Sequence, residues 1–330
     1  MSIQPNSTKM KTFPTAKKGN NFGFLSIESE QKIYPPFFDL DAIELLKENW
    51  ETDSNDIFIC THQKVGTHLT KQFVSEILRA VYPYPENNPM STGDIGHATI
   101  PWPEVMVSQY GYAHFQEFIA KTTHFPRVWY IHCESDDLPM KKIHPKSKFI
   151  YVFRDPKGAA VSQFHFYKSH PLLEVEKTLD MDQFTSLFLD GNLYFGDYHE
   201  HVKNWILKTD LRINRDHFLV LSYENLVENK ISITKELASF LCSKILPSSK
   251  IREIIAATEF QNMKNKISEN PGSFHFNVNT FFRSGKTDDW KTHLSGKNKA
   301  DIDKKTAVCW KEIIKEQVFL NHDLKKTSII

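Results

Sequence analysis

Four short apolar runs constrain the fold of this chain more than any other feature of its sequence. Each is rich in β-branched and aromatic residues, which is typical of strands that are buried on both faces. The runs are Ile57–Cys60, Val128–Ile131, Phe149–Phe153 and Phe218–Leu221. Because helical patterns alternate with them, the sequence predicts an α/β fold with a central parallel sheet flanked by helices.

The segment after the first run has the clearest helical pattern. Leu69, Phe73 and Ile77 recur every four residues, and Val74 and Leu78 widen the same apolar stripe. This period predicts an amphipathic helix that packs on the sheet.

Proline marks two further features. Asp155-Pro156 follows the third run and has the pattern of a helix N-cap and first helical residue. The stretch from Pro83 to Pro103 has weak periodicity and predicts a long surface loop, a type of segment that is often functional.

Length and composition fit one folded unit. The chain has 330 residues, of which 40% are hydrophobic, so a sizeable core is expected. Residues 1–21 are polar and predict a mobile leader, and residues 22–330 predict a single domain. Lys and Arg number 41 against 40 Asp and Glu, a net charge of +1. This balance argues against a partner that is a nucleic acid or a membrane surface.

Cysteine usage indicates a reducing compartment. Cys60, Cys133, Cys242 and Cys309 are far apart and form no CxxC pair, so we expect free thiols and a cytoplasmic protein. No apolar segment approaches the ~18 residues that a membrane-spanning helix requires.

A tight turn between the first run and its helix has the composition of a phosphate-binding loop. Lys64, Gly66 and Thr67 lie where a strand leads into a helix, whose first N–H groups favour an anion. The order differs from the G-x-x-x-x-G-K-[ST] loop of nucleotide triphosphatases, so the loop is only P-loop-like. By itself the string is equally compatible with an ordinary turn.

Six segments, in the same order and at similar spacing, resemble motifs of the cytosolic sulfotransferases that use 3′-phosphoadenosine 5′-phosphosulfate (PAPS). They are the loop around Lys64 (T-Y-P-K-S-G-T-T-W in the family), 126–139 (P-R-x-x-K-T-H-x(5)-L-P), 149–166 (a strand, then R-[ND]-P-K-D and V-S-Y-Y-H-F), 221–224 (Y-E-D), 258–260 (T-S-F) and 281–293 (F-M-R-K-G, then G-D-W-K-N-H-F). The resemblance spans the greater part of the chain.

The resemblance implies a donor site for PAPS, with adenosine 3′,5′-bisphosphate (PAP) as product. The residues that it assigns to the 5′-phosphosulfate are Lys64, Val65, Gly66, Thr67, His68 and Leu69. Those assigned to the 3′-phosphate are Arg154, Ser162, Arg283, Ser284 and Gly285, and those around the adenine are Tyr223, Thr258 and Phe260. Without the resemblance, Ser162 is equally a small packing residue and Phe260 a core residue.

The resemblance also implies two catalytic residues. His132 would accept the proton of the acceptor, and Lys64 would stabilise the charge that develops on the leaving phosphate. His132 follows an apolar run, so it should lie at the carboxyl end of a strand, where open α/β sheets bind ligands. We expect no metal ion, since Lys and Arg can neutralise the donor.

Several positions depart from the family pattern. Leu69 replaces a Trp that stacks on adenine, Tyr130 replaces a Lys two residues before the base, and Ser284 replaces a Lys at the 3′-phosphate. These changes predict a looser donor site. The family's dimer motif K-x-x-x-T-V-x-x-x-E is not preserved after Lys291, which predicts a monomer or a different dimer.

The acceptor is a small molecule that the sequence does not name. Asp136 and Asp137 follow the base in an acidic cluster, so one hypothesis is a polar or cationic acceptor such as an alkaloid; a solvated acidic loop is equally compatible. Further candidates for the acceptor walls are Trp102, Tyr112, Phe115 and Tyr130.

Two other functions are compatible with parts of the pattern. A P-loop kinase for small molecules would need Mg²⁺ and a carboxylate to hold it. A homologue that binds PAP without catalysis is suggested by Leu69, Tyr130 and Ser284. Retention of both Lys64 and His132 favours an enzyme.

Overall fold

The four apolar runs form the strands of one parallel sheet in the computed structural model of this chain. The structure describes residues 12, 17–18, 23–29, 32–208, 212–269 and 278–316. The strands are β1 (Lys17–Lys18), β2 (Leu25–Ser29), β3 (Lys32–Tyr34), β4 (Asp56–Thr61), β5 (Arg127–Ile131), β6 (Lys148–Phe153) and β7 (Phe218–Ser222). All residues of β4 and β5 are buried, as the continuous apolar runs predict.

Strand order brings the carboxyl ends of distant segments together. The sheet has the order β5-β4-β6-β7, and all three pairings are parallel. Ile59 of β4 lies opposite Tyr130 of β5 and Ile150 of β6, so β4 is central. The residues that follow β4, β5, β6 and β7 therefore meet at one edge of the sheet.

Helices connect the strands and pack around them. They are α1 (Leu40–Asn49), α2 (Thr67–Val81), α3 (Pro103–Tyr110), α4 (Tyr112–Thr122), α5 (Pro156–Ser169), α6 (Met181–Leu189), α7 (Tyr198–Lys203), α8 (Tyr223–Glu228), α9 (Lys230–Cys242), α10 (Ser248–Ala257), α11 (Phe260–Glu269), α12 (Val278–Phe281), α13 (Gly296–Cys309) and α14 (Lys311–Glu316). Helix α2 packs with α9 and α10, whereas α5, α6, α7 and α13 form a second group. The predicted α/β fold is thus confirmed. Within the described part of the chain, no helix has the length and apolar character needed to cross a bilayer.

The local signals at α5 are also confirmed. Asp155 caps α5 by accepting a hydrogen bond from the backbone N–H of Lys157, and Pro156 is the first helical residue.

Between α2 and α3 the chain forms a loop that contains one short 3-10 helix (Pro89–Thr92). The long loop is present, but only its first part lies at the surface, since Ile95, Gly96 and residues 99–103 are buried.

The amino-terminal region differs from the sequence prediction. Most of the predicted mobile leader, residues 1–21, lies outside the described residues. Lys17–Lys18, however, pairs with Leu25 and Ser26 as strand β1, and β2 pairs with β3 to complete a small antiparallel sheet. The backbone groups of Lys17 and Lys18 are thus paired in a ladder, and the mobility of the leader stays a prediction. Such short polar strands carry too weak a period to be detected in the sequence.

A buried ion pair ties the amino-terminal ends of β4 and β5. Asp56 accepts hydrogen bonds from Arg127 Nε at 2.7 Å and Arg127 Nη2 at 3.0 Å, and from Trp129 Nε1 at 2.8 Å. Asp56 and Arg127 are almost completely excluded from solvent. The pair therefore fixes the register of two strands whose far ends lead to the candidate site residues.

We predict that Asp56→Asn lowers the free energy of unfolding by about 3–5 kcal/mol, because it leaves Arg127 buried without a counter-charge. Urea unfolding measures this change. Glu253→Gln is the matched control, since its partner Lys250 lies 2.7 Å away at an exposed site, where a pair contributes less than about 1 kcal/mol. Equal effects of the two substitutions would contradict this role for the buried pair.

Candidate active site

One large cavity lies at the carboxyl edge of the parallel sheet. Its volume is about 910 Å³. The loop after β4, His132 after β5, Arg154 after β6 and Tyr223 after β7 all contribute to its lining. This is the location at which open α/β sheets bind their ligands.

The loop after β4 presents the amino-terminal end of α2 to this cavity. Lys64 has a φ of 64° and Gly66 a φ of 113°, so the chain turns sharply before Thr67 begins the helix. No side chain caps α2. Its first N–H groups have no intrahelical partners, and they suit a phosphate or sulfate group.

Lys64 lines the cavity, and its ammonium group has no counter-charge among the described residues. Its Nζ lies 3.6 Å from the centre of the Phe281 ring and 5.1 Å from that of Phe166. Burial, together with the positive charges of Arg154 and Arg283, lowers the pKa of Lys64 to about 7. Among the described residues no carboxylate forms an ion pair with Lys64. An anion bound at this point would restore the charged form.

Arg154 is a second cation with no carboxylate bound to it within the described ranges. Its guanidinium lies 4.2 Å from the centre of the Tyr223 ring and donates to the carbonyl oxygens of Lys64 and Lys286, each at 3.3 Å. Its buried Nε has no hydrogen-bond partner there. Burial raises the pKa of the nearby Glu224 to about 7, which makes that carboxyl a weak counter-charge. These features are typical of an arginine that binds an anion.

The carboxyl-terminal part of the chain completes the opposite wall. Arg283, Ser284 and Gly285 line the cavity, but Arg283 forms an ion pair with Asp289. Nearby, the Nε2 of His293 lies 3.1 Å from Nη1 of Arg283. An anion bound here would therefore compete with Asp289.

The remaining residues assigned to the donor are also near the cavity. Leu69, Ser162, Thr258 and Phe260 belong to its lining, whereas the side chain of Val65 is fully buried beneath the loop. The structure thus brings the residues assigned to the donor together around one cavity, except Val65, which does not belong to its lining.

His132 faces the same cavity from β5. Its Nδ1 lies 2.8 Å from the carbonyl oxygen of Thr61 and 3.0 Å from Thr61 Oγ1, which in turn lies 2.8 Å from Thr67 Oγ1. Donation from Nδ1–H to the carbonyl leaves the lone pair on Nε2, as a proton acceptor requires. Burial is the main reason that the pKa of His132 falls to about 3, so the imidazole is neutral near pH 7.

A second histidine supports the position of His132. His201 Nε2 lies 3.1 Å from the carbonyl oxygens of both His132 and Cys133, and its Nδ1 lies 2.9 Å from the hydroxyl of Tyr151. Burial lowers the pKa of His201 to about 4, so it supports the backbone as a neutral ring. Sequence reasoning missed His201 because nothing in its local pattern links it to β5.

Two of the predicted acceptor residues line the cavity. Trp102 lies edge-on to His132 with ring centres 4.8 Å apart, and Tyr130 lies 5.5 Å from His132. Phe37, which the sequence did not suggest, adds a third aromatic ring at 6.1 Å from Trp102. The wall next to His132 is therefore aromatic.

The other four predicted acceptor residues do not line the cavity, and the prediction is corrected for them. Phe115 is fully buried against Trp50 and Trp129, and Tyr112 stacks on Phe115, because α4 turns its apolar face to the core. Asp137 forms an ion pair with Lys32. Asp136 lies exposed on the same short 3-10 turn (Ser135–Asp137).

Lys71 is the most notable lining residue that sequence reasoning missed. It lies on the buried face of α2, where only 1% of the residue is exposed, and its ammonium lies 4.3 Å from the centre of the Tyr130 ring. A signal was present in the sequence, since Lys71 precedes Val74 and Leu78 by three and seven residues and so occupies the apolar stripe.

Comparisons with known proteins agree with this architecture. The family model described as the sulfotransferase domain matches residues 54–315. A 3-beta-hydroxysteroid sulfotransferase of Cavia porcellus is 26% identical over 81% of this chain and 88% of its own length. An amine sulfotransferase of Oryctolagus cuniculus is 27% identical over 78% and 81%. The crystal structure of mouse sulfotransferase SULT7A1 complexed with PAP has a TM-score of 0.64 at 21% identity, covering 89% of this chain and 98% of that one. This last likeness shows the fold.

We predict that Gly66→Ala lowers the stability of the protein by about 1–3 kcal/mol, because a left-handed backbone is strained for alanine. The added Cβ would also lie 2.8 Å from the Tyr223 ring. Gly296→Ala at the start of α13 is the control, since nothing lies within 4 Å of its Cβ, and it should stabilise by about 0.5–1 kcal/mol. In thermal unfolding, the melting temperature should fall for Gly66→Ala and rise for Gly296→Ala. An unchanged melting temperature in Gly66→Ala would contradict the geometry of the loop.

Proposed function

This chain belongs to the sulfotransferase family, and from that premise we propose that it transfers a sulfuryl group from PAPS to a hydroxyl or amine group of a small acceptor. One observation carries the proposal. Lys64 and Arg154, both without an ion-pair partner among the described residues, line the same cavity as the neutral His132. A cavity with this charge pattern suits a donor with several phosphate and sulfate groups.

The donor phosphates would bind to the cationic residues of the lining. We assign the 5′-phosphosulfate to Lys64 and the first N–H groups of α2, where backbone donors and an ammonium converge. The 3′-phosphate is assigned to Arg154, Ser162 and the segment from Arg283 to Gly285. Tyr223, Thr258 and Phe260 belong to the same lining and would contact the adenine.

Transfer then follows from the positions of the two catalytic groups. The acceptor oxygen or nitrogen attacks sulfur, the bond from sulfur to the 5′-phosphate oxygen breaks, and the electron pair leaves on that oxygen. Lys64 stabilises the charge that grows there, which is the kind of interaction that usually contributes most to catalysis. The proton of the acceptor passes to Nε2 of His132.

The low pKa of His132 is compatible with this role. After burial, the positive charges of Lys71 and Lys64 are among the causes that hold the pKa down in the free protein. A bound donor brings negative charge beside Lys64 and offsets its effect on the imidazole. Binding of PAPS would therefore raise the basicity of His132 at the moment when a base is needed.

The acceptor is best described by the aromatic wall beside His132. Trp102, Tyr130 and Phe37 suit a flat or apolar body that presents one nucleophilic group to the base. The cationic acceptor suggested by the sequence loses its support, because Asp136 and Asp137 lie outside the cavity lining.

We propose a cytoplasmic location, because all four cysteines are free and reduced thiols are typical of that compartment. Independence from metal ions and a monomeric or unusual dimeric state stay predictions. The single domain over residues 22–330 also stays a proposal, to which the continuous hydrophobic core of the described residues lends support.

We predict that His132→Ala abolishes transfer while binding of PAP is retained, because the base takes part in the chemical step only. Radiolabelled sulfate transfer from PAPS across an acceptor panel measures the first effect, and calorimetry with PAP measures the second. The expected loss is about 10²–10⁴-fold in kcat. Full activity in the variant would eliminate His132 as the base, and absence of transfer by the wild-type protein would favour a PAP-binding homologue without catalysis.

We also predict that PAP binds more weakly as pH rises from 7 to 9. The pKa of Lys64 is about 7 in the free protein, so above that pH binding must protonate the lysine and take up a proton. Calorimetry in buffers of different ionisation enthalpy measures this uptake. Lys64→Met should weaken PAP binding and make its affinity less dependent on pH. If the affinity of this variant depended on pH as steeply as that of the wild type, groups other than Lys64 would be responsible for the pH dependence.

A further inference from the structure

Lys71 is a buried lysine that the proposed mechanism does not yet use. It occupies the apolar stripe of α2 with Thr67, Val74 and Leu78, yet it lines the cavity. Among the described residues its ammonium has neither a hydrogen-bond acceptor nor an ion-pair partner. The negative charge of Asp94 acts on it only from beyond ion-pair distance.

The position of Lys71 connects it with the reacting centre. Its Nζ lies 4.3 Å from the centre of the Tyr130 ring, and the rings of Tyr130 and His132 lie 5.5 Å apart on one face of β5. The positive charge of Lys71 lowers the pKa of both His132 and His68. Long helical side chains lean toward the helix amino terminus, which here is the phosphate loop.

Contact with Tyr130 alone does not account for a lysine at this position. A cation over a desolvated aromatic ring gains some stability, but this gain is smaller than the effective cost of burying an ion. Burial accordingly lowers the pKa of Lys71 to about 7. The protein would be more stable with an apolar residue at this position of the stripe. The lysine therefore lowers stability, as residues at functional sites often do.

We propose that Lys71 is a catalytic residue whose ammonium binds the sulfuryl oxygens during transfer; this inference rests on the proposed function. The bond from the acceptor to sulfur forms while the bond from sulfur to the 5′-phosphate oxygen breaks. The leaving electron pair goes to the phosphate oxygen beside Lys64, and the proton goes to His132. Lys71 neutralises the sulfuryl oxygens throughout. The chain thus supplies from α2 a charge that it lacks at Tyr130 on β5.

Lys71→Met tests this role because methionine keeps the length and apolar character of the side chain. We expect kcat to fall about 10²–10³-fold, as for loss of one transition-state donor, with PAP affinity close to that of the wild type. The melting temperature should rise, because an unpaired buried amine is removed. A purely structural lysine would give the reverse pattern, with lower stability and unchanged kcat.

Lys157→Met is the matched control. Lys157 is equally buried, with 1% exposed, but it forms ion pairs with Asp155 and Asp303 and does not line the cavity. Its replacement should lower the melting temperature and leave kcat close to the wild-type value. The melting temperature should therefore rise when the catalytic lysine is replaced and fall when the structural lysine is replaced.

A charge exchange gives the decisive test. In Lys71→Met combined with Tyr130→Lys, the new ammonium arises where the Tyr130 ring met Lys71, and most of the lost kcat should return. Tyr130→Lys alone places two cations together and should not exceed wild-type activity. Wild-type kcat in Lys71→Met, or no recovery in the double variant with PAP binding intact, would overturn the inference. Absence of transfer by the wild-type protein would instead reject the proposed function and this inference with it.

Discussion

Uncompensated positive charge at the carboxyl edge of the sheet is the constraint on which the rest of the site depends. Lys64 and Lys71 each have a pKa lowered to about 7, with burial as the main cause, and neither they nor Arg154 has an ion-pair partner among the described residues. Such an arrangement costs stability in the free protein. Binding of a polyanion would offset this cost, which is consistent with the proposed donor.

The sheet determines which groups can meet at this edge. Parallel pairing in the order β5-β4-β6-β7 brings the loop of Lys64, His132 and Arg154 to one side, although they are far apart in sequence. Asp56 and Arg127 pair β4 with β5 at the opposite end of the same strands. Thr61 joins the loop of Lys64 to His132 through hydrogen bonds to both Thr67 and His132. The proposed sites of donor binding and proton transfer are therefore linked through one residue.

The sequence predicted the parts of this architecture that have strong local patterns. The four apolar runs, the stripe of α2 and the cap at Asp155 have periods or residue types with few alternatives, and the structure confirms them. The acceptor side was not predictable in the same way. Phe115 and Lys71 could be placed only by the packing of α4 and α2: an aromatic residue expected in the pocket is in the core, and a lysine inside an apolar stripe faces the cavity.

We propose that Lys64 and His132 act on one sulfur atom from the same cavity, and a crystal structure of the protein with PAP decides whether they do. The 5′-phosphate should lie within about 3 Å of Lys64 Nζ, a hydrogen-bond distance, with Nε2 of His132 facing the open space beyond that phosphate. PAP bound elsewhere, or a 5′-phosphate separated from His132 by protein, would show that the two residues do not share one reaction centre.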